Sequence, residues 1–322
     1  LVNYNVTGGK QIRGALVPAA LEAFTSKESD RKCQVREANL VGWCVELLHA
    51  GFLVLDDIMD GSPKRRGKPS WFSAQQAAGY GLISVNDGLH LVLTAKYLLY
   101  SILGACGENN SILLRIIRLF DEICYKTCWG QNLDTVYSQP ISSKVDDSGA
   151  NVAFEKYTWK HYETITQWKT GFYTFYLPVA CGMTLAGIQQ AKQYEQARRV
   201  LLKMGQYFQA QDDFLDCFGD PKITGKIGTD IVDGKCSWLV VACLSKASDN
   251  QRQIIKDCYG RKDSEAEAAV RRVFEELGLR DAFREYEKET CAEIKHEISN
   301  CDHIGCSRLF EEISQLLFGR SH

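Results

Sequence analysis

Residues 49–67, HAGFLVLDDIMDGSPKRRG, set an apolar run, Phe52-Leu53-Val54-Leu55, directly before three carboxylates, Asp56, Asp57 and Asp60. Arg65 and Arg66 follow within a few residues. With 41–60 as a helix, Asp56 and Asp60 stand one turn apart on one face, with Asp57 beside them. Three acids in one turn repel each other and weaken a helix end unless cations gather there. Mg2+ suits that role, because it takes oxygen ligands and keeps positions open for phosphate oxygens. Nearby arginines add forked donors for the same phosphates. The stretch predicts an apolar wall topped by a diphosphate-and-metal mouth.

An acidic turn taken alone is more often a solvated helix cap. What counts against a cap here is the nearly uncharged approach and, above all, a second copy. Residues 209–220, QAQDDFLDCFGD, repeat the spacing with Asp212, Asp213 and Asp216. Two such turns, each closing a largely apolar segment, suggest two acidic helix faces across one cavity. Clamping a diphosphate from two sides through metal ions is the simplest chemistry that needs both.

The remaining composition narrows the field. With 322 residues, 45% of them hydrophobic, the chain can bury a large core as one big domain or two ordinary ones. A net charge of −2 offers no global basic field for nucleic acid, so an anionic substrate must be held by local cations. The 13 cysteines include no CxxC pair. Cys124 and Cys128, and Cys301 and Cys306, lack histidines at zinc spacing, while Cys44, Cys181 and Cys243 sit in apolar surroundings as small core hydrophobes. This usage predicts a reducing compartment and no disulfide framework, hence a cytoplasmic protein. An organellar targeting peptide ahead of Leu1 stays open. No uninterrupted apolar run approaches the length of a membrane span, so no spanning helix is expected.

Along the chain, GGKQIR (8–13) reads as a loop feeding a helix, with Lys10 and Arg13 near its positive end. Residues 26–35 read as loop, 36–60 as a long helix, and Gly61, Pro63, Gly67 and Pro69 as loop again. Residues 70–137 read as three helices. The last ends in CWGQNLDTVY, which puts Gln131 and Asp134 on one face, where a plain helix-end hydrogen bond is the first explanation. A polar loop (138–150) precedes a helix pair in 152–190. There Lys169 and Thr170 stand among Phe172, Tyr173, Phe175 and Tyr176, and Pro178 should kink the second helix. An unpaired ammonium is costly to bury, so Lys169 is less easily explained as core than its aromatic neighbours. Residues 191–218 run into the second acidic motif. A loop-like stretch (219–235) follows, with Lys226 and Lys235 flanking Asp230, then SWLVVACL and amphipathic helices from about 248 to 318. With no convincing strand, no phosphate loop and no nucleophile elbow, the prediction is one all-α domain over 1–322.

The segments GGKQIR, VGWCVELLHAGFLVLDDIMDGSPKRRG, GQNLD, KTGFYTFYLP, QAQDDFLDCFGDP, TGKIGTDI and KCSWLVV occur in that order. Together they resemble the trans-isoprenyl diphosphate synthases over almost the whole chain, most nearly the farnesyl-forming branch of eukaryotes. The resemblance implies a single large bundle, about ten core helices around a deep central cavity, usually a homodimer. It implies an allylic diphosphate held by Mg2+, three ions in the family, with Asp56, Asp60 and Asp212 as ligands and Asp57, Asp213 and Asp216 in support. By the same resemblance Arg65, Lys169, Lys226 and Lys235 contact that diphosphate, and Asp134, Thr170, Gln131 and Gln209 line the reacting region. Isopentenyl diphosphate is expected on Lys10, Arg13, His49 and Arg66, with Phe208 near it. The implied reaction is head-to-tail condensation of isopentenyl diphosphate with dimethylallyl and then geranyl diphosphate to give farnesyl diphosphate.

Three departures stand out. Gly51 replaces one of two bulky residues ahead of the first motif, leaving Phe52 as a floor and suggesting a deeper cavity. His49 stands where close relatives often have glutamine. The C-terminal FGRSH carries only Arg320 as a basic residue. Geranyl or geranylgeranyl diphosphate therefore stays open as a product. A terpene cyclase or lyase on the same scaffold is the competing reading, although it would not need Lys10, Arg13 and Arg66.

Overall fold

A computed structural model describes residues 1–25, 31–104, 110–138, 154–220, 228–302 and 304–319. Lys226 and Arg320 lie outside the described residues. The described chain is overwhelmingly helical. It separates into two compact units: residues 1–127, 171–205 and 293–322, and residues 128–170 and 206–292.

The first unit is built on the helix Arg31–Met59, which packs against helices Ile12–Phe24 and Ile83–Gly104. Two glycine contacts set how closely these helices approach. A Cβ on Gly42 would stand 2.4 Å from the carbonyl oxygen of Gly14. A Cβ on Gly51 would stand 2.8 Å from both the Gly88 carbonyl oxygen and Val92 Cγ2. The space expected beyond Gly51 is therefore filled by the neighbouring helix, which corrects the expectation of a missing cavity wall there. Within Arg31–Met59, residues from Gln34 onward are long and apolar enough to cross a membrane by length and composition. Its most apolar window is 67% buried inside the structure, as a core helix requires. The helix begins at Arg31, ahead of the expected residue 36, and a short helix, Val2–Asn5, precedes the glycine-rich loop.

The expected three helices of 70–137 are Trp71–Ala77, Ile83–Gly104 and Asn110–Tyr137. The expected helix pair after residue 152 is instead one helical run. The helix Trp159–Ile165 passes into a π-helical segment, Thr166–Tyr176, and then into Leu177–Leu185. Pro178 explains the change of register better than a kink does. It has no N–H for the carbonyl four residues back, so the chain meets it in a widened turn.

The second unit contains the helices Trp238–Lys246, Asp249–Cys258 and Ser264–Glu276, together with Trp159–Ile165. Ser237 and Ser248 cap the first two through their hydroxyls. Among its described residues, the loop-like stretch before them contains the short helical turn Asp230–Asp233, ended by Gly234 at φ 67°. The described cysteines are free thiols.

Candidate functional site

In the first unit, His49, Phe52 and Asp56 follow at three- and four-residue steps and so share one face of Arg31–Met59. The helix stops at Gly61, whose φ of 63° lets Ser62 N–H return to the Asp57 carbonyl at 2.9 Å. A two-strand antiparallel ribbon follows, Lys64–Arg65 with Lys68–Pro69, which the sequence pattern did not reveal. Arg66 and Gly67 form its turn with φ of 54° and 74°, both positive as a tight hairpin of this kind demands.

That ribbon brings Arg65 back onto the acids. Its Nε donates to Asp57 Oδ1 at 2.9 Å and its Nη2 to Asp56 Oδ2 at 3.3 Å. Asp57 is buried, and burial raises its pKa against the lowering effect of Arg65, with Asp56 and Asp60 adding to the rise.

Arg66 lies across the glycine-rich loop and donates to the Gly8 carbonyl. A Cβ on Gly9 would come within 2.8 Å of its guanidinium carbon, so the paired glycines form a cradle for this arginine. Arg13 donates to Thr174 Oγ1 at 3.2 Å and sits over the Tyr173 ring at 5.1 Å. His49 stacks on the same ring at 5.7 Å, and Phe52 meets it edge-on at 5.5 Å. His49 is kept neutral, its pKa held well below the usual imidazole value by burial first and then by Arg13, Arg66 and Arg65. Its Nδ1 is buried with no partner. Three guanidinium groups around one neutral imidazole make a corner that favours an anion. Lys10 is exposed on the loop leading to it. In the sequence Tyr173 was only one of four aromatics beside Lys169; its place as the ring on which this corner is assembled was not read.

In the second unit, Asp134 is the ionic centre. Lys169 Nζ donates to its Oδ2 at 2.6 Å, and Lys235 Nζ to the same oxygen at 2.8 Å. Burial alone would raise the Asp134 pKa, but the two ammonium groups hold it well below the ordinary carboxylate range. Gly130 makes the meeting possible: a Cβ there would overlap the backbone at Lys169, 2.2 Å from its nitrogen. Lys169, half-buried, thus has a carboxylate partner. Gln131 Nε2 is buried without one.

The second acidic motif ends the helix Ala191–Phe218. Gln209 bridges two groups, accepting from Thr170 Oγ1 and donating to Asp213 Oδ1, each at 2.9 Å. Asp213 Oδ2 accepts from Tyr162 O–H at 2.9 Å and from the Trp238 N–H at 2.8 Å. Burial pushes the Asp213 pKa up to about 7, with the three donors opposing the rise and Asp212 adding to it. Asp216 Oδ2 accepts from the Asp230 N–H at 3.0 Å. Phe208 is partly exposed. Tyr162 was not anticipated; no spacing rule connects it to Asp213.

The six acids divide by burial. Asp57, Asp213 and Asp216 are 2%, 5% and 9% exposed, and each is tied to a donor of its own unit. Asp56, Asp60 and Asp212 are half-buried. Among the described residues, no three His, Cys, Asp or Glu side chains form a ready-made metal group.

A polyprenyl synthetase family profile matches residues 1–277. The farnesyl pyrophosphate synthase of Rattus norvegicus is 41% identical over 320 residues, covering 99% of this chain and 86% of that protein. The enzyme of the same name from Saccharomyces cerevisiae is 40% identical over 303 residues, covering 94% of this chain and 82% of its own. Among solved structures, T. brucei farnesyl diphosphate synthase has a TM-score of 0.84 at 32% identity, covering 99% of this chain and 89% of that one.

Proposed function

The chain belongs to the polyprenyl synthetase family, and from that footing we propose that it is a magnesium-dependent prenyltransferase making farnesyl diphosphate. It joins isopentenyl diphosphate head-to-tail to dimethylallyl diphosphate and then to geranyl diphosphate. The observation that carries this proposal is the division among the aspartates. The three acids assigned to the metal, Asp56, Asp60 and Asp212, are the three that keep partial exposure. The three assigned to support are buried against donors. Carboxylates without a closed protein cage fit Mg2+, which keeps waters and binds through one or two carboxylates together with substrate phosphates. Bound there, magnesium would supply positive charge to the departing diphosphate.

The chain's own cations do the rest of the electrostatic work. Arg65, Lys169 and Lys235 bind the allylic diphosphate, joined by Lys226. Both ammonium groups meet at one Asp134 oxygen, which gathers two cationic side chains at one place to meet that anion. As the allylic C–O bond breaks, its electron pair leaves with the diphosphate and an allylic cation remains. Fixed cations lower the energy of that charge separation without reorganising. The oxygen dipoles of Thr170 and Gln209, held together by their mutual hydrogen bond, are the near-neutral groups best suited to a carbocation. The alkene of isopentenyl diphosphate then forms the new C–C bond, and the resulting cation gives up one proton to the released diphosphate.

Isopentenyl diphosphate sits on Lys10, Arg13, His49 and Arg66, with Phe208 nearby. His49 serves as a neutral partner through its unpaired ring nitrogen rather than as a base. A second copy of the chain completes the assembly. The helix Ile83–Gly104 carries Val85, Leu89, Leu93 and Tyr97 exposed at four-residue steps, an apolar stripe that a homodimer would cover. The protein acts in the cytoplasm, as its free thiols suggest.

The test is product analysis after mixing dimethylallyl and isopentenyl diphosphates with Mg2+. Farnesyl diphosphate should accumulate with one diphosphate released per condensation, and chelation should stop it. No consumption of isopentenyl diphosphate would reject the proposal. Hydrocarbon formed from farnesyl diphosphate alone would favour a cyclase.

A further inference from the structure

Lys235 is held by more than its ion pair with Asp134. Its carbonyl accepts from the Tyr259 O–H at 2.6 Å, and also from the Ser237 N–H at 2.9 Å. The preceding carbonyl, that of Gly234, accepts from the Tyr157 O–H at 2.8 Å. The Lys235 N–H returns to the Asp230 carbonyl at 2.9 Å, and the Gly260 N–H reaches the Ile231 carbonyl at 2.8 Å. Both tyrosines are buried, Tyr157 at 4% and Tyr259 at 1% exposure, and their rings meet edge to face at 5.8 Å. Burial raises the pKa of both phenols, so each stays a donor throughout the working pH range.

A lysine side chain loses much rotamer freedom when it is fixed. Its ammonium reaches a set position only if the backbone from which it springs is itself fixed. The turn at Gly234 has a left-handed φ of 67° and lies beyond a helix of only four residues, so it has little regular structure of its own to hold it. Two side-chain donors on two consecutive carbonyls supply that restraint.

We propose that Tyr259, assisted by Tyr157, is a positioning residue for the allylic diphosphate. It clamps the Gly234–Lys235 backbone and so sets the Lys235 ammonium where the diphosphate meets it. This rests on the assignment of Lys235 to that diphosphate. The two phenol hydrogen bonds are made to the Gly234 and Lys235 carbonyls, so their loss should fall on the substrate assigned to Lys235.

The experiment compares Tyr259→Phe, Lys235→Ala and the double variant in the full-length chain. Tyr194→Phe serves as a control, because it removes another hydrogen-bonded phenol hydroxyl, a partly buried one that meets Arg115 and Thr184. The readouts are KM and kcat for each substrate, calorimetric binding of inorganic pyrophosphate with Mg2+, and thermal midpoints. Tyr259→Phe should raise KM for dimethylallyl diphosphate and weaken pyrophosphate binding about three- to tenfold. KM for isopentenyl diphosphate should not move. In the Lys235→Ala background the tyrosine effect should vanish, because a clamp acts through the lysine it holds. Additive losses, or an equal loss of pyrophosphate affinity in Tyr194→Phe, would overturn the clamp. If Lys235→Ala keeps wild-type pyrophosphate affinity, the lysine assignment falls and the clamp with it. A wild type that binds pyrophosphate but does not condense the two substrates overturns the proposed reaction instead, and the pyrophosphate cycle still decides the clamp.

Discussion

Asp57 and Asp213 hold the same place in the same acidic spacing, and the chain keeps them in different ways. Asp57 is matched by a cation, Arg65, which a hairpin turn returns to it. Asp213 is matched instead by neutral donors: an amide, a phenol and a backbone N–H. Burial raises the pKa of both. The arginine opposes that rise with a full charge, whereas three dipoles leave Asp213 near neutrality in its titration. A repeated motif therefore does not imply a repeated environment. What the two copies share is the outer pattern, half-buried first acids over a buried second one.

The largest expected effect tests the shared part. Asp56→Ala and Asp212→Ala should each lower kcat/KM by ~1,000-fold or more, about 4 kcal/mol of transition-state stabilisation, if both first acids engage the metal. Steady-state rates at saturating Mg2+ measure this. A variant of either that kept wild-type rates would break the equivalence of the two motifs.

The next pair tests the difference. Arg65→Gln leaves Asp57 buried without its counter-charge. A fully buried pair would cost about 3 kcal/mol or more to break, but the Arg65 side chain is 35% exposed, so roughly 2 kcal/mol is expected. Tyr162→Phe removes one of three neutral donors from Asp213 and should cost about 1 kcal/mol. Urea unfolding in metal-free buffer reads both. Equal losses, or a larger one for the tyrosine, would erase the distinction between charge and dipole.

The all-helical fold was legible because the acidic motifs close apolar segments of helical length and because Gly61, Pro63, Gly67 and Pro69 mark the break after the first of them. Arg65 was legible as a nearby cation, but as a donor to phosphate; its pairing with Asp57, eight residues away, was not read. Nor was the second motif's support. Tyr162 is 51 residues from Asp213, and the Trp238 N–H is 25 away, and a backbone donor has no signature in sequence. The π segment was invisible for a similar reason: Pro178 announces that a helix must change, not how. Lys169 was singled out as poorly explained by core packing, but its pairing with Asp134, reached through the close approach at Gly130, was not read.

The positions ahead of the motifs extend the comparison. Five residues before Asp56 stands Gly51; five before Asp212 stands Tyr207, fully buried and donating to Glu287. Gly51 is as much a packing residue as Tyr207, since its absent Cβ faces the Gly88 carbonyl. Gly51→Phe should therefore act on stability, costing about 2 kcal/mol by overpacking, before it acts on chain length. Thermal unfolding and product analysis of the same variant separate the two. Shorter products at an unchanged midpoint would restore Gly51 as a cavity wall.

The last comparison concerns how the two units respond to acid. His49 among Arg13, Arg65 and Arg66 stays neutral in the folded chain, while an unfolded chain protonates it below its ordinary pKa of about 6.5. The unfolded state then binds more protons, so stability falls as pH drops through that value, by up to about 1.4 kcal/mol per pH unit. Asp134 works in the opposite direction on a different scale. Its pKa is depressed, so its contribution is complete above the ordinary carboxylate range and is lost only in stronger acid. Between pH 7 and pH 5 the arginine corner should loosen while the lysine pair holds. His49→Gln removes the titrating group and keeps a polar side chain of similar reach. The thermal midpoints of wild type and variant should therefore run together above pH 7 and separate below it, with the variant higher. Parallel curves down to pH 5 would mean that His49 accepts a proton in the folded state at little cost, and that the three guanidinium groups do not converge on it.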